Sequence, residues 1–577
     1  MMSCSTLSGQ VSIGQQVGDI EFKDIRYLTR RVSEFKESKA IVIVCTNTTC
    51  PLVKRYLPKL KRLEQKYRDK SVQFVGLNVG AGDSIRDIAA QAIEYEIDFP
   101  MVKDVDANCV KALGVTRTPE VVVLDSERVL RYRGRIDDQY RIGGARPTAT
   151  SSDLEAAVEA VLSGKEPTLA ETSVDGCLIT EATSRAENDI VYSSRVAPII
   201  KKHCVECHRK GTQAPFKLTQ YDDVAQNAAM IAEVVQDQRM PPWYAGPNDK
   251  HFVNARGLTN KERTTIVDWV RTGAKRGDAI DQPEPPAAGD WIIGEPSRVI
   301  RTLETHKIPA DGYVPYKYSV LPFVTDQDLW IKSIEIKSDN PAVLHHCNLL
   351  GIPLGKPLNN AYFITGKVPG SEPLVTDDGV AIRLPKGTSL ALQIHYTTVG
   401  KEETSRISVA MKYASGKIDK QLKHVLVKNT KFTIPPGDPN HRVVKSEVLS
   451  DDTTGIGLFT HMHLRGKDMT FVAHLPNGTS ERLLTVPNYN FDWQMGYRWG
   501  PGQKKFPAGT RIECIAHFDN SEFNPYNPDS SATVREGQQT YHEMMYGFYF
   551  FTTDNEDLQL HVDGATGIAR PISTDDT

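Results

Sequence analysis

Two histidines, His461 and His463, lie two residues apart in a stretch that is predicted to be a β-strand. Side chains alternate between the two faces of a strand, so both imidazoles project from one face and together form a bidentate metal site. A lone H-x-H pair is commonly an accident of a half-buried strand. This pair is accompanied in the same half of the chain by other groups able to bind metal: His345, His346, His395, His542 and Met544.

A C-x-x-C-H motif is formed by Cys204, Cys207 and His208 and is the attachment motif of c-type haem. The two thiols can form thioethers to the haem vinyl groups, and His208 then lies under the iron as the proximal ligand. Half of a zinc site is the alternative, but no second Cys or His pair follows at zinc-finger spacing. Met240, in an M-P-P-W segment, is the predicted sixth ligand. Residues 180–285 therefore resemble a small, all-α cytochrome c domain.

Cys50 stands at the predicted start of a helix, where backbone N–H groups and the helix dipole lower a thiol pKa and favour a nucleophilic thiolate. The surrounding elements are predicted in the order βαβαββα, at residues 39–46, 52–67, 72–79, 85–95, 120–125, 129–135 and 154–162. Asp83 is a plausible cap of the second helix. This order resembles the α/β thioredoxin fold, and redoxin or peroxiredoxin-like domains most closely. The resemblance covers about the first 165 residues and predicts a domain at 1–175.

The redoxin resemblance implies a cis peptide bond at Thr118-Pro119, beside the active cysteine. The chain departs from the family pattern at two positions, because Val53 replaces a C-x-x-C partner and Asn47 replaces the peroxiredoxin threonine. Cys45 and Cys177 both remain possible resolving partners for Cys50. A thioredoxin-like scaffold without redox activity is the alternative.

The bulk composition describes an ordinary globular chain of 577 residues, long enough for three or four domains. The net charge of -3 gives no reason to expect a nucleic acid or an anionic membrane as partner. No apolar run approaches the length that spans a bilayer. The nine cysteines are scattered apart from one close pair, which excludes a disulfide framework.

Short alternating strands separated by Gly, Pro, Asn and Asp turns follow a proline-rich linker at 281–289. This half of the chain is predicted to form two all-β jelly-roll domains, at 290–420 and 421–577. Strand alternation places neighbouring residues on opposite faces, so His345 and His346 can share a metal only at a bulge or a strand end.

The order and spacing of the histidine and methionine motifs resemble the type II copper, ascorbate-dependent monooxygenases. That family includes peptidylglycine α-hydroxylating monooxygenase and dopamine β-monooxygenase, and it has two jelly rolls with one copper ion each. The resemblance implies an electron-transfer copper on His345, His346 and His395. It also implies a dioxygen-binding copper on His461, His463 and Met544, for which the neighbouring Met545 is an alternative ligand.

The family's substrate does not carry over, because Phe459 and Phe548 replace the arginine and tyrosine that serve the peptide-amidating enzymes. An apolar or aromatic small organic substrate fits these replacements better. The predicted function is a copper monooxygenase that hydroxylates a C–H bond with dioxygen and takes electrons from an external donor, relayed by haem c. The alternatives are a thiol-disulfide or peroxide oxidoreductase centred on Cys50 and a non-catalytic haem and copper electron carrier.

The expected location follows from the cofactors. Haem c attachment and copper loading usually take place outside the cytoplasm, so the protein is expected to be periplasmic or otherwise extracytoplasmic. The first residues show neither a basic segment nor an apolar one, so no signal peptide is visible in this sequence.

Overall fold

The structure is a computed structural model that divides into two compact units. It describes residues 11–572 apart from 106, 142–143, 146–147, 180–189, 213, 215, 250, 279–284, 286–290, 313 and 400. The first unit extends to Arg185 and includes Gly246–Asn248, and the second comprises Ala186–Ala245 and Asp249–Thr577. The predicted linker lies, apart from residue 285, outside the described residues.

The first unit is an α/β domain built on a seven-stranded sheet of order β2-β1-β5-β4-β3-β7-β8. Its elements are β1 (Glu21–Asp24), β2 (Thr29–Arg31), β3 (Ala40–Thr46), α1 (Pro51–Tyr67), β4 (Val72–Asn78), α2 (Ile85–Glu94), β5 (Met101–Lys103), α3 (Asn108–Leu113), β6 (Arg117–Thr118), β7 (Val121–Asp125), β8 (Leu130–Gly134), β9 (Tyr140–Arg141), β10 (Gly144–Ala145), α4 (Asp153–Leu162) and β11 (Cys177–Leu178). Strand β3 is buried along its whole length, and it lies inside the sheet because it pairs with β4 on one side and with β7 on the other. The seven predicted elements all occur in the predicted order, and the structure adds β1, β2, β5, α3, β6 and β9–β11, which the sequence did not predict.

One local prediction in this unit is wrong. Helix α2 is capped by Ser84, whose hydroxyl accepts a hydrogen bond from the Asp87 N–H. The Asp83 carboxylate accepts instead from the Thr48 N–H, at 2.7 Å, and so ties the loop before α1 to the loop before α2.

Helices occupy the N-terminal part of the second unit. They are α5 (Ala197–His203), α6 (Tyr221–Gln226), α7 (Ala228–Gln236) and α8 (Asn260–Arg271). Apolar side chains including Ile200, Ile231 and Trp269 form their common core. These helices belong to the same compact unit as the β-sheets that follow. The predicted all-α cytochrome c domain at 180–285 is therefore not distinguished as a unit of its own. Among the described residues, no helix is both long and apolar enough to cross a membrane.

The remainder of the second unit is mostly β-structure. Its strands are β12 (Arg298–Arg301), β13 (His306–Ile308), β14 (Lys317–Val324), β15 (Leu329–Ser338), β16 (Leu344–Pro353), β17 (Tyr362–Lys367), β18 (Leu374–Val375), β19 (Val380–Leu384), β20 (Thr388–Tyr396), β21 (Glu403–Ser405), β22 (Ile407–Tyr413), β23 (Gly416–Ile418), β24 (Lys420–Gln421), β25 (Lys423–Asn429), β26 (Thr433–Ile434), β27 (His441–Val448), β28 (Thr453–His461), β29 (Gly466–His474), β30 (Ser480–Val486), β31 (Gly496–Arg498), β32 (Lys504–Phe506), β33 (Arg511–Phe518), β34 (Val534–Arg535), β35 (Met545–Thr553), β36 (Leu560–Val562) and β37 (Ala569–Pro571). Short 3-10 helices occur at Val32–Phe35, Arg68–Lys70 and Leu358–Asn360, and a π-helical turn at Tyr192–Val196.

Two sheets, one containing β15 and β22 and the other of order β14-β20-β16-β17, share a single apolar core. Two further sheets follow, of order β25-β35-β28-β31 and β27-β33-β29-β30. Each histidine motif therefore lies on or beside a central strand of a sheet, which fixes its backbone.

Candidate redox sites

Cys50 lies at the N-terminal end of α1, and its side chain is buried. The Asn47 side chain accepts a hydrogen bond from the Cys50 N–H, at 2.5 Å, and fixes the turn from β3 into the helix. The Cys50 thiol lies 3.4 Å from the Thr118 carbonyl oxygen, and the Thr118-Pro119 peptide bond is cis. The loop that holds this proline therefore lies beside the cysteine, as the redoxin resemblance implies.

Strand β11 places Cys177 beside Cys50. This two-residue strand pairs antiparallel with β6, and the register sets Cys177 opposite Thr118. The Cys177 thiol donates a hydrogen bond to Cys50 Sγ, with 2.9 Å between the sulfur atoms. Both are free thiols here, since a disulfide requires about 2.0 Å. Cys45, the other partner considered from sequence, is fully buried in β3, and burial raises its pKa well above the usual value.

Gly176 allows this close approach. A Cβ atom at residue 176 would lie 2.3 Å from the Thr118 carbonyl oxygen, which is far inside ordinary contact distance. Only glycine lets β11 lie this close to β6 and so carry Cys177 to Cys50.

The two thiols differ in acidity. Burial by itself raises the pKa of Cys50, but hydrogen bonds from the Cys177 thiol and the Val53 N–H outweigh it and lower that pKa below its usual value. The pKa of Cys177 is raised to about 11, first by its hydrogen bond to Cys50 and second by burial. Cys50 therefore ionises first and is the better nucleophile, while Cys177 keeps its proton.

Cys204, Cys207 and His208 follow directly after α5. His208 Nδ1 lies 3.0 Å from the Phe216 carbonyl oxygen. A carbonyl only accepts, so Nδ1 carries the proton and Nε2 keeps a lone pair for a metal. Burial lowers the pKa of His208 and favours this neutral form. Met240 borders the same cavity as the three motif residues, so the donor set fits c-type haem.

His345 and His346 are adjacent in β16 and yet meet in one cluster. The register between β16 and β20 shifts between Leu344 and His346, and His346 is paired with His395. The extra residue of this bulge interrupts the alternation, so neighbouring side chains can turn to the same face. One ring nitrogen from each of the three histidines lies within 4.8 Å of the others. The sequence allowed His345 and His346 to share a metal only at a bulge or a strand end, and the structure has a bulge at this position.

Two imidazoles of this cluster are held neutral, the form in which a ring nitrogen can bind a metal. Burial, followed by the charges of the neighbouring histidines, lowers the pKa of His346 well below its usual value and that of His395 to about 4. His345 Nε2 lies 3.0 Å from Asp492 Oδ1. His395 Nδ1 is buried and has no hydrogen-bond partner within the described part of the chain. A buried ring nitrogen left in this state is destabilising unless it binds something, and imidazole nitrogen suits copper.

His461 ends β28, and His463 follows two residues later with its ring centroid 5.2 Å from that of His461. His461 Nδ1 lies 2.6 Å from Gln494 Oε1, and His463 Nδ1 lies 3.3 Å from the His542 carbonyl oxygen. Both partners accept, so both Nε2 atoms keep a lone pair. Burial is the main reason that the pKa of His463 is lowered, to about 3.

Glu543 connects the segments that carry the proposed ligands His463 and Met544. Its fully buried carboxylate accepts hydrogen bonds from the N–H groups of His463, Arg465 and Met544, at 2.9, 2.6 and 3.2 Å. Met544 borders the cavity that His461 also lines, whereas Met545 is fully buried as the first residue of β35. Of the two methionines, only Met544 borders the cavity.

A single cavity of about 1770 Å³ connects these groups within the second unit. Its walls include Cys204, Cys207, His208, Met240, His345, His346, His461 and Met544. The Phe491 ring lies 5.8 Å from that of His345 and 6.0 Å from that of His463, so it stands between the two histidine clusters. Phe459 and Phe548 face each other across β28 and β35 with ring centroids 5.9 Å apart, and both line the cavity.

Three of the residues that contact these histidines were not expected from the sequence. Phe491, Asp492 and Gln494 all belong to the irregular segment between β30 and β31. Its Asn, Asp and aromatic residues carry no periodic signal, so only the fold shows that they meet the histidines.

Residues 13–133 match the AhpC/TSA family, a stretch that includes Cys50 and Thr118 and ends before Cys177. The thiol-disulfide oxidoreductase ResA of Halalkalibacterium halodurans is 23% identical over 128 residues, which cover 22% of this chain and 71% of that protein. ResA of Bacillus thuringiensis is 22% identical over 123 residues, covering 21% of this chain and 69% of that protein. A solved structure of a hypothetical protein from Sinorhizobium meliloti is 30% identical and covers 30% of this chain and 96% of its own, with a TM-score of 0.28.

Proposed function

We propose that the AhpC/TSA-type, thioredoxin-like redoxin domain of this chain is a thiol-disulfide oxidoreductase in which Cys50 attacks and Cys177 resolves. The observation that carries this proposal is the 2.9 Å approach of the two sulfur atoms. The curated relatives named as thiol-disulfide oxidoreductases support the same chemistry.

In the proposed reaction, the Cys50 thiolate attacks one sulfur of a substrate disulfide, forms a mixed disulfide and releases the other substrate sulfur as a thiolate that takes up a proton. The Cys177 thiol loses its proton and attacks Cys50 Sγ. The Cys50–Cys177 disulfide forms and the second substrate thiol leaves. The substrate gains two electrons and two protons, and an external dithiol must return the pair to its reduced state.

Disulfide reduction by the wild-type protein and by Cys50→Ser and Cys177→Ser variants tests this proposal. Cys50→Ser should abolish turnover, whereas Cys177→Ser should accumulate the mixed disulfide with substrate, visible by mass spectrometry. Cys109→Ala, which removes another buried thiol of the same unit, is the matched control. Full activity of Cys50→Ser would refute the assignment. Hydrogen peroxide consumption measured in parallel distinguishes a peroxidase from a disulfide reductase.

For the second unit we propose a copper-dependent monooxygenase that hydroxylates a C–H bond of a small organic substrate with dioxygen. The bulge that joins His345, His346 and His395 is the observation that favours it. His461, His463 and Met544 would hold a second ion, because the rings of His461 and His463 lie 5.2 Å apart with free Nε2 lone pairs, and His461 and Met544 border one cavity. Two copper ions there would supply one-electron chemistry with dioxygen, with an external donor as the source of electrons.

This chain's own side chains would set the conditions of that reaction. Gln494 and the His542 carbonyl orient the rings of His461 and His463 through their Nδ1 atoms. Phe459 and Phe548 present an apolar wall, which favours an apolar or aromatic substrate. Cys204, Cys207, His208 and Met240 would hold haem c, a one-electron carrier.

Copper and haem contents of the purified protein test the second proposal. We expect two copper ions and one haem in the wild-type protein and one copper ion in His461→Ala. His441→Ala removes a histidine paired with Asp438 away from the cavity and is the control. Wild-type protein without copper would refute the copper sites, and protein without haem would refute the haem site.

Activity separates the remaining alternatives. A protein with both copper ions and haem that consumes no dioxygen with any C–H substrate would be an electron carrier. If turnover driven by a haem-reducing donor is unchanged in Cys204→Ala/Cys207→Ala, the haem does not relay electrons. Because haem c attachment takes place outside the cytoplasm, we also propose an extracytoplasmic location, which fractionation of the native cells would test.

A further inference from the structure

One lysine lies on the wall of the cavity that the C-x-x-C-H motif also lines. Lys367 ends β17, where the register sets it opposite Cys347, one residue after His346. Within the described part of the chain, its ammonium has neither a hydrogen bond nor a carboxylate within ion-pair distance. Glu335, which interacts with it electrostatically, accepts a hydrogen bond from the Ile293 N–H and lies 3.3 Å from Lys337 Nζ. Among the described residues, the partly exposed Lys367 ammonium thus has no carboxylate within ion-pair distance.

Arg256 supplies a second positive charge on the same cavity. One of its terminal nitrogens donates to the Gly370 carbonyl oxygen at 3.0 Å, and Glu372 is 3.6 Å from the other. The charges of Arg256 and Lys367 both act on the Cys207 thiol, where they oppose the rise in pKa that burial causes. Two cations, one of them with no ion-pair partner among the described residues, therefore lie on the cavity that Cys207 also lines.

A partly buried cation with no ion-pair partner among the described residues is costly, and the cavity offers space for an anion that would offset the cost. Haem brings two propionate carboxylates, and a guanidinium and an ammonium are the groups that bind carboxylates most strongly. We propose that Lys367 and Arg256 form a carboxylate-binding pair that holds a propionate of the haem. The inference rests on the proposed haem site and adds to it the residues that neutralise the haem's negative charge.

The midpoint potential of the haem in the full-length holoprotein tests this assignment. A cation beside a propionate favours the reduced haem, which carries one positive charge fewer, so its removal should lower the potential. We expect Lys367→Met and Arg256→Gln each to shift the potential downward and Lys367→Arg to keep it near the wild-type value. Lys428→Met removes a lysine elsewhere on the same cavity and should leave the haem potential unchanged.

A free organic acid is the other possible source of the carboxylate, and calorimetric titration of the holoprotein with benzoate distinguishes the two. A pair already occupied by a propionate should show no benzoate binding that depends on Lys367. Benzoate binding in the wild-type protein that is lost in Lys367→Met would overturn the propionate assignment. If Lys367→Met and Arg256→Gln both contain haem with an unchanged potential, the assignment of the carboxylate-binding pair is wrong and the haem site stands. If the wild-type protein contains no haem, the proposed haem site is wrong as well.

Discussion

Replacing Gly176 by alanine should separate Cys177 from Cys50 without changing either cysteine. The new Cβ would lie 2.3 Å from the Thr118 carbonyl oxygen, whereas ordinary contacts begin near 3.4 Å, so β11 must move by about 1 Å. Overpacking of this size costs about 1–3 kcal/mol. In the reduced protein, β11 can relieve the clash by lifting off β6. A Cys50–Cys177 disulfide holds β11 in place, so the cost falls mainly on the oxidised form.

A cost on the oxidised form raises the reduction potential of the pair. Since about 30 mV corresponds to 1.4 kcal/mol for two electrons, we expect Gly176→Ala to raise the potential by about 20–60 mV. Equilibration with glutathione buffers, followed by alkylation and mass spectrometry, measures it. Gly18→Ala is the control, because a Cβ there meets no atom within 4 Å. An unchanged potential in Gly176→Ala would show that contact between β11 and β6 does not set the geometry of the pair.

Three other expectations follow from the protonation and hydrogen bonding of the described groups. The pH midpoint for alkylation of Cys50 by iodoacetamide should lie below that of an ordinary thiol. This midpoint should shift upward in Cys177→Ala, because that variant loses a hydrogen bond to the Cys50 thiolate. The same midpoint in both proteins would contradict the expectation. Glu543→Gln should lower the free energy of unfolding by about 1–3 kcal/mol, measured in urea, because an amide NH2 replaces an acceptor of backbone N–H groups; exposed Glu522→Gln should have no effect. Metal-free protein should lose stability as the pH falls from about 6.5 to 5. The reason is that the folded state keeps His346, His395 and His463 neutral, whereas these histidines take up protons in the unfolded chain. Thermal melts at several pH values measure this dependence of stability on pH, which His395→Gln should reduce.

Regular elements around Cys50 were predictable because long apolar runs and helical periodicity mark them. The choice of helix cap was not, because Asp83 and Ser84 are both good caps and adjacent in sequence. Asp83 is drawn to Thr48 instead, at 2.7 Å, and that contact depends on two loops that meet only in the folded sheet. Local sequence identified the helix and left its first residue undecided.

Long-range pairing explains what the sequence left open at the redox sites. Nothing local distinguishes Cys177 from Cys45 as a partner, because the decision is made by a two-residue strand that pairs with β6. The histidines proposed as metal ligands were recognisable by type and spacing. Lys367 and Arg256 were not, because a single lysine at a strand end and an arginine in a loop become notable only once they share a cavity.

Because of the bulge in β16, the histidine cluster depends on the number of residues in that strand as well as on their identity. The cluster exists because this strand carries one residue more than strict pairing with β20 requires. Deleting one residue at the bulge, with every histidine retained, would restore the alternation and turn one imidazole toward the opposite face. In a protein descended from the same ancestor, we therefore expect loss of that extra residue to remove the three-nitrogen site as completely as loss of a histidine would.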